Sequence, residues 1–171
     1  MKKQFFGTDG IRENIKSKIF ASDNLFKIGV SSALYITAIK YIFKNLVQKE
    51  NITEPSKFLE KFNQNISDIS EGNIFVTTIF GIIDKEKSKF IYGFGGGTYP
   101  IKIDCKKKEL KVMDGEGIAV GLVSEASFET KEESFNKGDI LFFYLDGIYE
   151  FLMEKNVIKE QDEFLEIVKN C

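Results

Sequence analysis

Apolar positions in this chain recur first at helical and then at strand spacing, and the change of period falls at Ile74. From about Asn24 to Gln48, apolar residues including Phe26, Val30, Leu34, Ile39, Phe43 and Leu46 occupy more than one helical face. That pattern predicts a long, largely buried helix with Lys27, Lys40 and Lys44 on its wet side. Ser22 or Asp23 is suited to cap its start. A second helix is predicted from Pro55 to Ile69, with Phe58, Leu59, Phe62 and Ile66 on one face.

Ile74 to Ile83 is a charge-free, β-branched run that reads as a central strand, and Asp84 to Ser88 reads as a charged hairpin turn into Phe90 to Phe94. Ile101 to Ile103 and Leu110 to Val112 flank Lys106-Lys107-Lys108 as a second hairpin. Gly115 to Leu122 is a Gly-punctuated loop, and Ser127 to Phe135 alternates as an edge strand would. Lys137-Gly138-Asp139 then makes a tight turn into the apolar run Ile140 to Leu145, which predicts a strand buried on both faces. Asp146-Gly147 ends that run. Asp146 either presents a carboxylate to a metal at the strand end or N-caps the helix through Ile148, Tyr149, Phe151 and Leu152. A last helix is predicted from Asp162 to Val168.

Composition narrows the chemistry. With 171 residues, 43% of them hydrophobic, the chain can bury a full core, most simply as one domain. The 24 basic and 26 acidic residues nearly cancel to a net charge of −2, so no global field points to nucleic acid. Histidine is absent, which excludes His bases, Ser-His-Asp triads and His-ligated zinc. Metal chemistry here would rest on carboxylates, which favours Mg²⁺ or Mn²⁺. Cys105 and Cys171 lack metal or redox spacing and read as free thiols of a reducing compartment. No signal peptide is evident and the longest charge-free apolar stretch, Ile28 to Ile39, is too short to span a bilayer, so a cytoplasmic location is expected.

Three loops invite functional readings. Gly95-Gly96-Gly97-Thr98-Tyr99-Pro100 lacks the Lys-Ser/Thr pair and helix of a phosphate loop, and reads as a bend between strands. Lys106 to Lys108 reads as a solvated turn, because no aromatic or further basic residue accompanies it in sequence. Gly7 to Asn14 could offer backbone N–H groups and the Arg12 guanidinium to a phosphate, or be a plain surface turn.

Two family resemblances follow. Phe6-Gly7-Thr8-Asp9-Gly10-Ile11-Arg12, with Leu25-Phe26-Lys27-Ile28-Gly29, resembles the N-terminus of phosphoglucosamine mutases over about residues 5–30, and departs from them at Glu13. The Ser-His loop of those enzymes cannot exist in a chain without His.

The larger resemblance, over about residues 28–168, is to the stage-II-sporulation-E (SpoIIE) and sigma-regulator branch of the metal-dependent protein serine/threonine phosphatases (PPM, or type 2C). Gly29 to Leu34 is similar to the start of that family's first long helix, and Phe58 to Asn63 to its second helix. Phe75 to Asp84 is similar to its central strand. Tyr92 to Gly97 stands in place of its Asn-Ala-Gly-His segment, and Val120-Gly121-Leu122 resembles its Leu-Gly-Leu loop. Gly138-Asp139 followed by Tyr144-Leu145-Asp146-Gly147 resembles its Gly-Asp and Tyr-Thr-Asp-Gly motif.

This resemblance implies an α+β fold, a four-layer α-β-β-α sandwich of antiparallel sheets flanked by helices. It also implies hydrolysis of phosphoserine or phosphothreonine through water activated by two Mn²⁺ or Mg²⁺ ions. Asp146 would be a metal ligand beside Gly147, with Asp23 and Asp9 as its loose companions. The implied partner is a phosphoprotein such as an anti-sigma-factor antagonist, with no nucleic acid and no membrane. The family's Asp-bearing glycine loop is replaced here by Ser22 to Gly29, and no counterpart of its closing Asp-Asp strand precedes Cys171. An inactive, protein-binding pseudophosphatase is therefore the rival expectation. A sheet edge left open by the missing strand could drive homodimerisation.

Overall fold

A computed structural model describes residues 4–7, 10–13, 22–70 and 74–169, with side chains from residue 33 onward. Two short strands, β1 (Gln4–Gly7) and β2 (Gly10–Glu13), precede α1 (Ser22–Gln48) and α2 (Pro55–Ser70). Strands β3 (Ile74–Asp84), β4 (Lys89–Gly95), β5 (Ile101–Asp104), β6 (Glu109–Val112), β7 (Lys131–Ser134) and β8 (Ile140–Phe142) follow, then α3 (Asp146–Glu154) and α4 (Gln161–Lys169).

All strand pairs are antiparallel. β3 is central in one sheet, paired on one side with β1 and β2 and on the other with β4, which pairs with β7 at the far edge. The second sheet has the order β6-β5-β8. Period-two alternation along β3 sends its side chains to two different cores. Val76, Phe80 and Ile82 join Phe58, Leu59, Phe62 and Ile66 of α2 and Ile39 and Leu46 of α1. Ile79 and Ile83 face the other way, toward Phe90, Tyr92, Phe94, Leu141 and Phe143. A third core, around Ile101, Ile158, Phe164 and Val168, lies under α3 and α4. Three cores between helices, sheet, sheet and helices make the four-layer α+β sandwich.

Several sequence expectations need correction. Over its described side chains α1 is not largely buried: Ile39 and Leu46 are enclosed, but Leu34 and Tyr41 are about two-thirds exposed. Only the face toward α2 and β3 is covered. The strand expected from Ile140 to Leu145 is a three-residue edge strand, paired with β5 alone. Its faces do meet two cores, with Leu141 and Phe143 on one side and Phe142 and Tyr144 on the other. At an edge those residues stay only partly buried, and Ile140 is 48% exposed. The head, read as a surface loop, contributes β1 and β2 to the first sheet.

Candidate functional site

The chain leaves β8 at Phe142 and turns through Leu145 into α3. Leu145 (φ −104°, ψ 156°) is the N-cap residue, and no side chain caps the helix. Asp146 is therefore not the cap. It is the first helical residue, where its negative charge suits the helix dipole, and its Oδ1 accepts the Gly147 N–H at 3.0 Å. Gly147 lies inside α3 with open space where a Cβ would stand.

A glycine loop supports this strand end. Gly96 (φ 76°) and Gly97 (φ 98°) adopt left-handed backbone, and a Cβ on Gly96 would lie 2.9 Å from the Ala119 nitrogen. The segment is thus a bend leading to β5, as its sequence predicts. Just beyond it the Thr98 hydroxyl donates to the Tyr144 carbonyl, two residues before Asp146. The Tyr99 ring stacks on Phe94 with centroids 4.7 Å apart.

The loop around Gly121 is fixed from the opposite side by Asn63 of α2. This side chain is 1% exposed and uses both ends of its amide. Its Oδ1 accepts the Gly121 N–H at 2.7 Å, and its Nδ2 donates to the carbonyls of Val123 and Ser124, each at 2.9 Å. A bridge between Val76 and Val120 ties the same loop to β3. At Gly121 (φ 85°) a Cβ would fall 2.5 Å from Ile66 Cγ2, so the close approach requires glycine. An Asn inside the apolar stripe Leu59-Phe62-Ile66 is the sequence signal for such a buried hub.

Asp139, the Asp of the Gly-Asp motif, works as a structural carboxylate. Its Oδ2 accepts the Asn136 N–H at 2.9 Å and lies 3.7 Å from Lys102 Nζ. Lys102, with a side chain 7% exposed, also sits 3.6 Å from Glu133 Oε1 and donates to Ser134 Oγ at 3.0 Å. Because Lys102 belongs to β5 and Glu133 to β7, the cluster pins one sheet to the other. Nothing local in Ile101-Lys102-Ile103 announces this, since a lone Lys in a short strand is ordinarily solvated.

Of the expected metal ligands, Asp146 alone has a described side chain. Asp9 lies outside the described residues, and Asp23 falls on the second residue of α1 with a side chain that is also outside them. Among the described residues no group of three His, Cys, Asp or Glu side chains could hold a metal ion. One described carboxylate of the three expected does not by itself make a binuclear centre. Glu133 and Asp139 do converge, but on the Lys102 ammonium. A cleft of about 460 Å³ lined by Glu116, Gly117, Ile118, Ser127, Phe128 and Glu129 has acidic walls that would repel a phosphate. Tyr92, whose hydroxyl donates to the Asp114 carbonyl at 2.8 Å, has its phenol pushed up to about 12, chiefly by burial.

The family model for Stage II sporulation protein E (SpoIIE) matches residues 28–171. The chain belongs to the SpoIIE family. The Bacillus subtilis phosphoserine phosphatase RsbU is 22% identical over 134 residues, covering 78% of this chain and 39% of RsbU. The SpoIIE phosphatase domain of Bacillus subtilis with a fragment of its regulatory domain superposes with a TM-score of 0.58 at 15% identity, covering 96% of this chain and 52% of that one. The RsbU and RsbW domains of a Mycobacterium tuberculosis protein give 0.59 at 17% identity, covering 84% and 36%. This SpoIIE-family chain thus shares the phosphatase-domain fold and spans about two-fifths of the length of RsbU.

Proposed function

We propose that this SpoIIE-family chain is a serine/threonine phosphatase domain by descent, which binds a regulatory phosphoprotein such as an anti-sigma-factor antagonist while its hydrolytic step is weak or lost. The observation that carries this reading is the continuity of α1 from Ser22. By resemblance, that stretch replaces a glycine loop bearing a bridging Asp. A carboxylate on the first turn of a helix serves the helix dipole, whereas a loop can wrap an ion. Turnover with two Mn²⁺ or Mg²⁺ ions would require Asp9 and Asp23 to converge on Asp146 and the Gly147 backbone.

The same reading takes residues 1–171 as one domain, with 1–22 an atypical head and 23–171 the phosphatase-like body. β1 and β2 add to the β3 sheet, which favours a role for the head in this fold over the sugar-phosphate role of its mutase-like signature. Among the described residues no helix is long and apolar enough to cross a membrane. A cytoplasmic location is part of this proposal, on the sequence reading of Cys105 and Cys171 as free thiols. The open side of β8 is where a homodimer would form, and sedimentation velocity checks that.

The deciding experiment is calorimetric titration of Mn²⁺ into the full chain, paired with hydrolysis of p-nitrophenyl phosphate and a phosphoserine peptide. The expected result is no two-site binding and no turnover above background. Two-site binding with turnover that Asp146→Asn abolishes would overturn the binding-module reading and establish an active phosphatase.

A further inference from the structure

Lys106-Lys107-Lys108 is isolated in sequence, but the fold gives it company. The Phe135 N–H donates to the Ser88 carbonyl at 2.8 Å, which seats the 136–138 turn against the β3–β4 turn. Pairing of Ile103 with Ile140 brings the β5–β6 turn to the other side of the same segment. Three turns, 85–88, 105–108 and 136–138, therefore share one end of the molecule. Together they hold six lysines (Lys85, Lys87, Lys106, Lys107, Lys108 and Lys137) against one acid, Glu86.

These lysines stand on fixed backbone. Asp84 Oδ1 accepts the N–H groups of Glu86 and Lys87 at 3.1 and 3.0 Å, and Asp104 Oδ1 accepts those of Lys106 and Lys107 at 3.0 Å each. Exposed Glu109, at the base of the β5–β6 turn, adds a second acid at the rim, but the other carboxylates near this end are turned to other work. Asp84 and Asp104 bind turn amides, Asp139 faces Lys102, and Glu132 pairs with Lys89. All six lysines are exposed, and apart from Lys107 with Asp104 at 3.9 Å none of them forms an ion pair among the described residues.

We propose that this three-turn end is an electrostatic docking surface for an acidic segment of a partner protein. The concentration of positive charge is notable because the chain as a whole carries −2. That overall charge, and the lack of any aromatic residue within the three turns, argue against nucleic acid, which binds through a sustained field and base stacking. Ile140 is the one large exposed apolar side chain directly beside the turns among the described residues, too little to enter a lipid surface. Spaced lysines on rigid turns suit spaced carboxylates on a peptide. The surface is independent of any metal chemistry at Asp146.

The test is fluorescence anisotropy of a labelled peptide of alternating Asp and Glu, titrated with the full chain. Saturable binding is expected, weakening about tenfold when Lys85, Lys87, Lys106 and Lys108 are all changed to Gln and severalfold when salt rises from about 50 to 300 mM. A control with Lys40, Lys44, Lys49 and Lys57 changed to Gln removes the same charge elsewhere and is expected to bind like the original chain. Both variants are expected to melt where the original does. Absence of peptide binding, or equal weakening in both variants, would overturn the proposal. So would tighter, turn-dependent binding to a single-stranded oligonucleotide or to phosphatidylserine vesicles.

Discussion

The β3–β4 and β5–β6 hairpins carry the same turn on different foundations. In each, an Asp accepts the N–H groups two and three residues on, and a left-handed residue closes the loop: Ser88 at φ 52° and Lys108 at φ 57°. The arms differ. β3 and β4 pair over seven residues and contribute to two cores, whereas β5 and β6 pair over four and β6 has no buried residue. Turn chemistry is local and repeats wherever its residues recur; the stability of the hairpin comes from what its arms touch.

The largest expected difference lies in the arms. Phe80 is 1% exposed and stacks on Phe58 at 3.8 Å, so Phe80→Ala should cost about 3–5 kcal/mol in chemical denaturation. Leu110 is only partly buried, and Leu110→Ala should cost about 1 kcal/mol. Equal losses would mean that the two hairpins are equally embedded.

The turn carboxylates come next. Asp84 is buried, so Asp84→Ala should cost about 1–2 kcal/mol by orphaning two amides, while Asp104→Ala should lower the melting temperature less. The Lys107 backbone N–H holds the Asp104 carboxyl below its usual range. A depressed carboxyl stabilises the fold fully above its unfolded value of about 4 and loses that contribution as pH falls through the folded value. Carbon-detected NMR titration of Asp104 should therefore show a midpoint below that of a free Asp. The smallest effect sharpens the likeness: Ser88→Gly and Lys108→Gly each relieve a left-handed residue and should each add up to about 1 kcal/mol. Unequal gains would show that the turns are not equivalent.

The same division explains what the sequence made legible. Both hairpins, α2 and the glycine bend follow from local periodicity and turn residues, and the structure has them within a residue or two. Positions whose state depends on distant partners were opaque. β8 is as apolar as a central strand, yet its place at an edge comes from the sheet order, and α1 lacks the neighbours its apolar faces suggest. Lys102 gains its role only when β7 and the 136–139 turn close around it. At the candidate site, the apolar run to Leu145 suggests a strand ending at Asp146, but β8 stops at Phe142, where its edge pairing with β5 ends, and Asp146 opens α3.

The Asn63 clamp has a consequence for time as well as for geometry. Asn63 and Gly121 are 58 residues apart in sequence, and the loop between them contains β3 to β6. Closing so long a loop carries an entropic cost that local turns do not, so this bond is expected to form late on the folding route. Once formed, its amide proton exchanges with solvent only when that ordered half opens. In a deuterium-exchange experiment the Gly121 amide would then act as a slow clock, reporting the opening of the α2–β3 half while the hairpin tips exchange early.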